Sequence, residues 1–316
     1  MTASTVQTKN ECWSRYVGNA ERAPVDECVK EARAWWTAKG QGGPVSAPPP
    51  RYNQHSTSSL KGMYLGLLLR ALTGGLNVAL PEPFVGQWGH RGNGGCNGES
   101  CLLKWDGHQR AIETGRVLEQ VLDSGVQGAI AEVGVYKGGM AAYLQGILLA
   151  RYLTGEDRGS LRNLWLVDSF QGLPPTDGMQ SQNTDAGGFN SDADQAKWAG
   201  RLAVDDARVL ANLERHKLLA HGNVKVLKGY VNESLPRWPR NQRLALLRID
   251  VDIYSATYDA LHYLYPVLRE GGAVLFDDFK FNYSAAAIHD YRSRHGITNK
   301  LRFLPGTVDP MAYWIK

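Results

Sequence analysis

The pattern of apolar and polar residues changes near residue 107, after which short apolar runs alternate with longer amphipathic segments. Apolar runs of this length predict buried strands, and apolar residues repeated every three or four positions predict helices. The seven predicted strands span 129–135, 164–168, 224–228, 244–249, 273–276, 301–304 and 311–315, and the helices span 108–123, 139–153, 203–219, 258–268 and 284–294. This alternation predicts an α/β fold with a mostly parallel sheet, helices on both faces and an antiparallel hairpin at the end.

The first third of the chain lacks this alternation. Residues 1–50 have a loose composition, with one short helix predicted at 25–37, and they end in the Pro- and Gly-rich linker GQGGPVSAPPP. Residues 51–106 contain an apolar helix predicted at 60–73 and a Gly-rich stretch, VGQWGHRGNGGCNGESC. We therefore expect an N-terminal extension (1–50), a helical and loop cap segment (51–106) and an α/β domain (107–316).

The overall composition indicates a soluble globular protein, because 43% of the 316 residues are hydrophobic and no apolar run is long enough to span a membrane. The formal net charge of +4 is spread along the chain, so nothing predicts binding to nucleic acid. The N-terminus has no apolar signal core, which favours a cytoplasmic location. Cys96 and Cys101 could pair or bind a metal, but no second pair has zinc-like spacing, so reduced thiols are expected.

Two of the apolar runs, LALLRI and AVLF, each stop on carboxylates. Asp250 and Asp252 follow the first run, and Asp277 and Asp278 follow the second. A strand–helix–strand unit places two parallel strands side by side by a right-handed crossover, so these carboxylates should meet at one edge of the sheet. Crowded like charges need a positive partner, and hard oxygen ligands suit Mg²⁺ or Ca²⁺. The alternative interpretation is that these aspartates only cap strands and turns.

A second candidate site follows the first predicted strand, in the sequence EVGVYKGG at residues 132–139. Glycines between a strand and a helix let a ligand approach the backbone closely, but the spacing does not match the dinucleotide fingerprint. Asp168 ends the next strand, where a carboxylate could hold a ribose diol, and no phosphate-binding loop is present. These features favour a nucleoside without phosphates, such as S-adenosylmethionine, over the nicotinamide cofactor of a dehydrogenase.

Four motifs, EVGVYKGG, VDSFQGLPP, LLRIDVDIYSATYDALHYLYP and GGAVLFDDF, together resemble the macrocin O-methyltransferase family, from about Leu60 to the C-terminus. Members of that family are metal-dependent enzymes that methylate sugar hydroxyls during antibiotic biosynthesis. The resemblance implies a Rossmann-like class I methyltransferase fold, with a seven-stranded, mostly parallel sheet, an antiparallel last strand and an extra N-terminal helical segment. It also implies S-adenosylmethionine and Mg²⁺ as cofactors.

The resemblance assigns roles to particular residues. Asp250, Asp277 and Asp278 match the metal ligands, and Asp252 matches the proposed general base. The cofactor-binding positions fall after the first three predicted strands: Glu132, Gly134, Tyr136, Gly138, Asp168, Ser169, Phe170, Gly229 and Tyr230. Some related enzymes carry a His next to the base, where this chain has Ile253, and the Gly-rich stretch before residue 107 has no counterpart.

The function expected from these features is Mg²⁺-dependent methylation of a hydroxyl on a sugar or glycosylated natural product. The alternative within the same chemistry is a catechol or phenol O-methyltransferase. A third possibility is a methyltransferase fold that serves only as a binding scaffold. Such a protein would be expected to have lost some of its metal ligands, whereas Asp250, Asp277 and Asp278 are all present.

Two segments outside the motifs also carry predictions. The polar stretch 177–198 could close over the acceptor, or it could be an ordinary surface loop. The helix at 60–73 has apolar side chains around much of its circumference, more than one buried stripe needs, and members of the family tend to form oligomers. We therefore expect a homo-oligomer, either a dimer or a tetramer.

Overall fold

The computed structural model describes residues 59–72, 102–103, 107–157, 159–174, 199–279, 282–304 and 310–316. The chain divides into two compact units, one of residues 51–288 with 299–316 and the other of residues 1–50 with 289–298. The predicted helix 25–37, the linker, the Gly-rich stretch, all four cysteines and the polar stretch 177–198 lie outside the described residues. The predicted domain boundaries stay a prediction.

The described residues form seven α-helices, one short 3-10 helix and seven strands. The helices are α1 (Leu60–Leu72), α2 (Gly107–Asp123), α3 (Gly139–Leu153), α4 (Asp206–Arg215), α5 (Val231–Ser234), α6 (Tyr254–Leu264) and α7 (Asn282–Arg294), with the 3-10 helix at Leu235–Arg237. The strands are β1 (Ala129–Val133), β2 (Leu164–Asp168), β3 (Val224–Lys228), β4 (Leu244–Ile249), β5 (Leu268–Phe276), β6 (Arg302–Phe303) and β7 (Ala312–Ile315). In this part of the chain, no helix is long and apolar enough to cross a membrane.

The strands form one sheet in the order β3-β2-β1-β4-β5-β7-β6. Strands β1 to β5 pair in parallel, and β7 runs antiparallel to both β5 and β6. The predicted fold, a seven-stranded, mostly parallel sheet with an antiparallel last strand, is therefore confirmed. The chain progresses outward from β1 to β3 and then returns to β4 on the other side of β1. Ligands bind at such a switch point, in the crevice beyond the carboxyl ends of the strands.

Helices cover both faces of the sheet, as the alternating pattern predicted. On one face, Ile130, Leu166 and Leu246 pack with residues of α1, α2 and α3 in the main apolar core. On the other face, α6 packs against β4 and buries Leu261 and Leu264. The alternation of side chains along a strand therefore gives each buried strand two apolar faces. The same alternation determines on which face of the sheet each side chain at a strand end lies.

The boundary between α6 and β5 differs from the prediction. Helix α6 ends at Leu264 rather than near Leu268, because Pro266 has no N–H with which to continue the helical hydrogen bonds, although Tyr265 before it keeps helical φ −63° and ψ −37°. Gly271 and Gly272 lie inside β5 and do not end the helix. They occupy an irregular part of the β4–β5 pairing, where Gly271 has φ +79° and donates its N–H to the carbonyl of Lys316.

Three smaller differences affect the ends of elements. Helix α4 is shorter than the predicted 203–219, because the carboxylate of Asp205 caps it by accepting the N–H of Arg208. Strand β1 ends at Val133, since Gly134 has φ +86° and turns the chain out of the strand. The short helix α5 and the 3-10 helix after it were not predicted.

Candidate active site

The three predicted metal ligands meet at the carboxyl end of the sheet. Asp250 follows β4, and its N–H donates to the carbonyl of Val133 at 2.8 Å, while Asp277 follows β5 and donates to Ile249 at 3.0 Å. Among the described residues, Asp250, Asp277 and Asp278 each offer a carboxylate oxygen, and these oxygens lie within 4.8 Å of one another. Asp277 and Asp278 are buried, whereas Asp250 is partly exposed. Three hard oxygen donors at this spacing fit Mg²⁺.

Two buried arginines lie beside these carboxylates, and sequence reasoning missed both. Arg248 lies within β4 and contacts Asp250 at 2.9 Å and Asp277 through its Nη2 atom. Arg110 comes from α2 and donates to a carboxylate oxygen and to the carbonyl of Asp277. Part of the positive charge that the crowded carboxylates require is therefore built into the fold. For Arg248, the available signal was a charged residue inside the apolar run LALLRI. For Arg110, no feature of the sequence indicated a place in the site.

The carboxylates nevertheless outnumber the positive charges. Burial, together with neighbouring Asp252 and Asp250, raises the pKa of Asp278 well above its usual value. Burial and Asp277 likewise raise the pKa of Asp250, although Arg248 opposes them. Raised pKa values mean that the ionised forms are poorly stabilised by the surrounding protein. A divalent cation would supply the missing stabilisation.

Asp252 lies beside the three carboxylates but is not one of the group. Its backbone N–H donates to Asp278 Oδ2 at 2.8 Å. The chain does not stay extended from Asp250 to Asp252, because Asp252 has φ +61° and the chain turns there into α6. The local conformation is the left-handed region, which Asp and Asn enter more readily than most residues. The role of Asp252 as general base stays a prediction.

The glycine-containing loop after β1 wraps closely against β4. Gly134 donates its N–H to Val167 at 2.9 Å, and a Cβ added to it would overlap the carbonyl oxygen of Asp250. Gly138 has φ +82° and is the N-cap of α3, and Tyr136 between them also has a positive φ, of +50°. The loop predicted to bind the cofactor and the first candidate metal ligand are therefore in direct contact.

Asp168, at the end of β2, holds this loop in place. Its Oδ2 accepts the N–H groups of Val135 at 2.7 Å and Tyr136 at 3.3 Å, and its Oδ1 accepts that of Phe170 at 2.8 Å. A carboxylate has about four acceptor positions, so capacity remains for a ligand hydroxyl. The predicted contact with a ribose diol fits this geometry and stays a prediction.

The other predicted cofactor residues surround Asp168. Phe170 is buried with φ +57°, and Gly229 donates its N–H to the Asp168 carbonyl at 2.9 Å. Tyr230 follows Gly229 as the N-cap of α5. The hydroxyl of Ser169 donates to the carbonyl of Gly172 at 2.8 Å, so that side chain stabilises the turn after β2. The structure brings all of these positions to the carboxyl ends of β2 and β3.

Glu132 lies deepest in the site. It is 1% exposed, and its Oε1 accepts a hydrogen bond from Arg248 Nη1 at 2.9 Å. Its Oε2 is buried and has no hydrogen-bond partner among the residues that the structure describes. Burial, opposed by Arg248, raises the pKa of Glu132 to about 8. An unpaired buried oxygen is costly, so the cofactor assignment, which would supply a donor, fits this residue.

A groove of about 710 Å³ lies at a different place on the sheet from these carboxylates. It is lined by residues at the amino ends of the strands, including Gly128, Arg151 and Arg162. Arg151 pairs with Asp123 at 2.8 Å, and Arg162 donates to the carbonyl of Val126 at 2.7 Å. The charged groups there stabilise the surface where α2 and α3 end.

The fold and the acidic carboxyl edge together define a class I O-methyltransferase. Residues 102–316 match the model of the macrocin-O-methyltransferase (TylF) family, and the chain belongs to that family. The enzyme class and the resemblance expected from the four motifs are thereby confirmed.

Individual relatives agree with this assignment. An enzyme from Streptomyces olivaceus, 8-demethyl-8-(2,3-dimethoxy-α-L-rhamnosyl)-tetracenomycin-C 4′-O-methyltransferase, is 36% identical over 206 residues, which are 65% of this chain and 71% of that enzyme. Mycinamicin III 3″-O-methyltransferase from Micromonospora griseorubida is 34% identical over 196 residues, 62% of this chain and 72% of that enzyme. The solved structure of the O-methyltransferase NovP superposes with a TM-score of 0.64 at 27% identity, covering 81% of this chain and 99% of NovP.

Proposed function

We propose that the protein transfers a methyl group from S-adenosylmethionine to a sugar hydroxyl of a glycosylated natural product, with Mg²⁺ held by Asp250, Asp277 and Asp278. The observation that carries this proposal is the contact between the two halves of the site. The loop that should bind the cofactor touches the backbone of the first metal ligand, since Gly134 leaves no space for a Cβ against the carbonyl of Asp250. A methyl donor and a metal-oriented acceptor would then lie within reach of each other.

The cofactor half of the site consists of Glu132, the loop from Gly134 to Gly138, and Asp168. S-adenosylmethionine supplies an electrophilic methyl group on its sulfonium. Glu132 Oε2 accepts a donor from the methionine end, and the remaining acceptor capacity of Asp168 takes a ribose hydroxyl. Charge-assisted hydrogen bonds of this kind contribute about 1.5–3 kcal/mol each.

The catalytic half consists of the three metal ligands and Asp252. Mg²⁺ at this position would lower the pKa of an acceptor hydroxyl and fix its orientation. Asp252 would accept the hydroxyl proton at its carboxylate, and S-adenosylmethionine would supply its methyl group to that oxygen with loss of the carbon–sulfur bond, leaving S-adenosylhomocysteine. The backbone bond from Asp252 to Asp278 fixes the base against the metal ligands.

The names of the relatives support a sugar-bearing acceptor. One relative is named for a tetracenomycin that carries a rhamnosyl group, and another for mycinamicin III. The family assignment supports the same class of substrate. A phenolic acceptor is the alternative that the experiment below must distinguish.

We also propose that the protein is a cytoplasmic homo-oligomer that associates through α1. One side of this helix packs in the core with Leu65 and Leu69, while Leu60, Met63 and Leu67 are 82%, 51% and 54% exposed. Several large apolar side chains exposed on one helix favour contact with another protein surface.

Methyl transfer to a panel of acceptors tests the proposed function. The chelator-treated protein is incubated with isotopically labelled S-adenosylmethionine and either glycosides with free hydroxyls or simple catechols, with and without added Mg²⁺. We expect labelled methyl groups on a glycoside only when Mg²⁺ is added, and no product from the D278N variant. Preferential labelling of catechols would support the phenolic alternative, and equal labelling after chelation would contradict the metal assignment.

A further inference from the structure

One buried guanidinium contacts both halves of the active site. Arg248 is 3% exposed, and its Nη1 donates to Glu132 Oε1 at 2.9 Å. Its Nη2 contacts Asp250 Oδ2 at 2.9 Å and Asp277 Oδ1. Glu132 and Arg248 are register partners on β1 and β4, so their side chains lie on the same face of the sheet. A single residue thus connects the strand that leads into the cofactor loop with two of the three metal-ligand candidates.

An apolar side chain could fill this position in β4 as well as Arg248 does. Burying a charge costs several kcal/mol, and buried ion pairs are often no more stabilising than apolar packing. The rest of the strand consists of Leu, Ala and Ile. Arg110 from α2 already contacts Asp277 and so compensates part of the same negative charge. The distinguishing property of Arg248 is that its two terminal nitrogens reach carboxylates on different sides of the site.

We propose that Arg248 is a positioning residue that couples cofactor binding to metal binding. This inference rests on the proposed function, because it assumes that Glu132 contacts the cofactor and that Asp250 and Asp277 bind the ion. The guanidinium is planar and rigid, so a cofactor that fixes Glu132 also fixes the orientation of the Nη2 atom and of the carboxylates bound to it. Each ligand then finds its half of the site already ordered by the other.

The coupling can be measured without turnover, using S-adenosylhomocysteine as the probe. This product lacks the sulfonium charge, so direct repulsion of the metal ion does not contribute. Calorimetry of its binding with and without Mg²⁺ gives a ratio of the two dissociation constants. We expect Mg²⁺ to tighten binding by about fivefold or more in the parent protein, with an equal effect of the nucleoside on Mg²⁺ affinity.

The R248K variant separates position from charge. Lysine keeps the positive charge but is a point donor that cannot span Glu132 and the two aspartates. We expect the coupling ratio to fall to about one in R248K. If R248K does not fold, E132M cuts the same connection from the other side, because methionine has a similar length and no oxygen to accept the Arg248 bond, and it should lose the coupling in the same way.

Two control variants distinguish a specific loss of coupling from a general loss of stability or of nucleoside binding. R162K makes the same replacement at a partly buried arginine, which donates to the carbonyls of Val126 and Gly128 at the opposite end of the sheet. It should lower stability and keep the coupling ratio. D168A should weaken nucleoside binding but also keep the ratio, because Asp168 accepts hydrogen bonds from the backbone amides of Val135, Tyr136 and Phe170 rather than from Arg248.

The possible outcomes distinguish a failure of the coupling role of Arg248 from a failure of the proposed function. A parent ratio of one, with both ligands bound, overturns the coupling and leaves the proposed function intact. A folded R248K, or E132M, that retains the parent ratio also overturns the role of Arg248. If the parent protein binds neither Mg²⁺ nor the nucleoside, the proposed function itself fails.

Discussion

The backbone of Asp252 holds this residue beside the candidate metal ligands. It has φ +61°, and its N–H is bonded to Asp278. Asparagine adopts this conformation at least as readily as aspartate, so D252N should preserve the turn into α6 and remove only the basic carboxylate. We expect turnover to fall by about 10²–10⁴, the usual contribution of a positioned base, with nearly unchanged affinity for metal and cofactor.

The matched control for D252N is D259N. Asp259 lies in α6, where burial raises its pKa, and D259N makes the same replacement of a carboxylate by an amide. D259N should turn over at close to the parent rate. A defect in D252N that is cured by raising the Mg²⁺ concentration would place Asp252 among the metal ligands and contradict its role as the base.

Residues at strand ends could be predicted from the sequence, whereas their long-range partners could not. Asp250, Asp277 and Asp278 each follow an apolar run directly, and parallel strands bring such positions together. Arg110 contacts Asp277 across 167 positions of the chain, from a helix whose pattern gave no sign of it. The positive charge within the site therefore appears only when the helices are packed.

At the scale of elements, Gly134 determines how closely β1 and β4 approach. Alanine in the left-handed conformation costs about 1–2 kcal/mol, and the clash with the Asp250 carbonyl adds about 1–3 kcal/mol more. G134A should therefore lower the free energy of unfolding by about 2–5 kcal/mol. It should also weaken binding of S-adenosylhomocysteine. Denaturant unfolding and calorimetry measure the two effects.

Gly125 provides the control for this prediction. It has φ +74°, close to the +86° of Gly134, but nothing lies within 4 Å of an added Cβ. G125A should lower the free energy of unfolding only by the conformational cost of about 1–2 kcal/mol, and it should bind S-adenosylhomocysteine like the parent. Equal loss of stability in the two variants would show that the contact with Asp250 is unimportant.

The element boundaries that were predicted wrongly share one cause. The run from Tyr258 to Leu268 has helical spacing throughout, but Pro266 ends the helix and the last of these leucines begins β5. Gly271 and Gly272 looked like a helix stop because glycine pairs often follow helices. In the structure, they let β5 continue through an irregular pairing with β4, which only the neighbouring strand could reveal.

At the scale of the whole molecule, the exposed apolar face of α1 predicts self-association. The parent protein should show the mass of a dimer or larger assembly by light scattering at micromolar concentration. The double variant M63Q/L67Q should shift toward the monomer mass, because both side chains are more than half exposed and contribute little to the core. L202Q, at an exposed leucine in a turn, is the control and should leave the mass unchanged. A monomeric parent protein would contradict the prediction.

The most direct test of the central claim is binding of a divalent cation by the acidic group, measured by electron paramagnetic resonance with Mn²⁺ in place of Mg²⁺. This measurement needs neither the acceptor nor the cofactor. The parent protein should bind one equivalent of Mn²⁺, D250N, D277N and D278N should each bind it about tenfold or more weakly, and D252N should bind it like the parent. Failure of the parent to bind Mn²⁺, or equal binding by all four variants, would contradict the assignment of Asp250, Asp277 and Asp278 as a metal site.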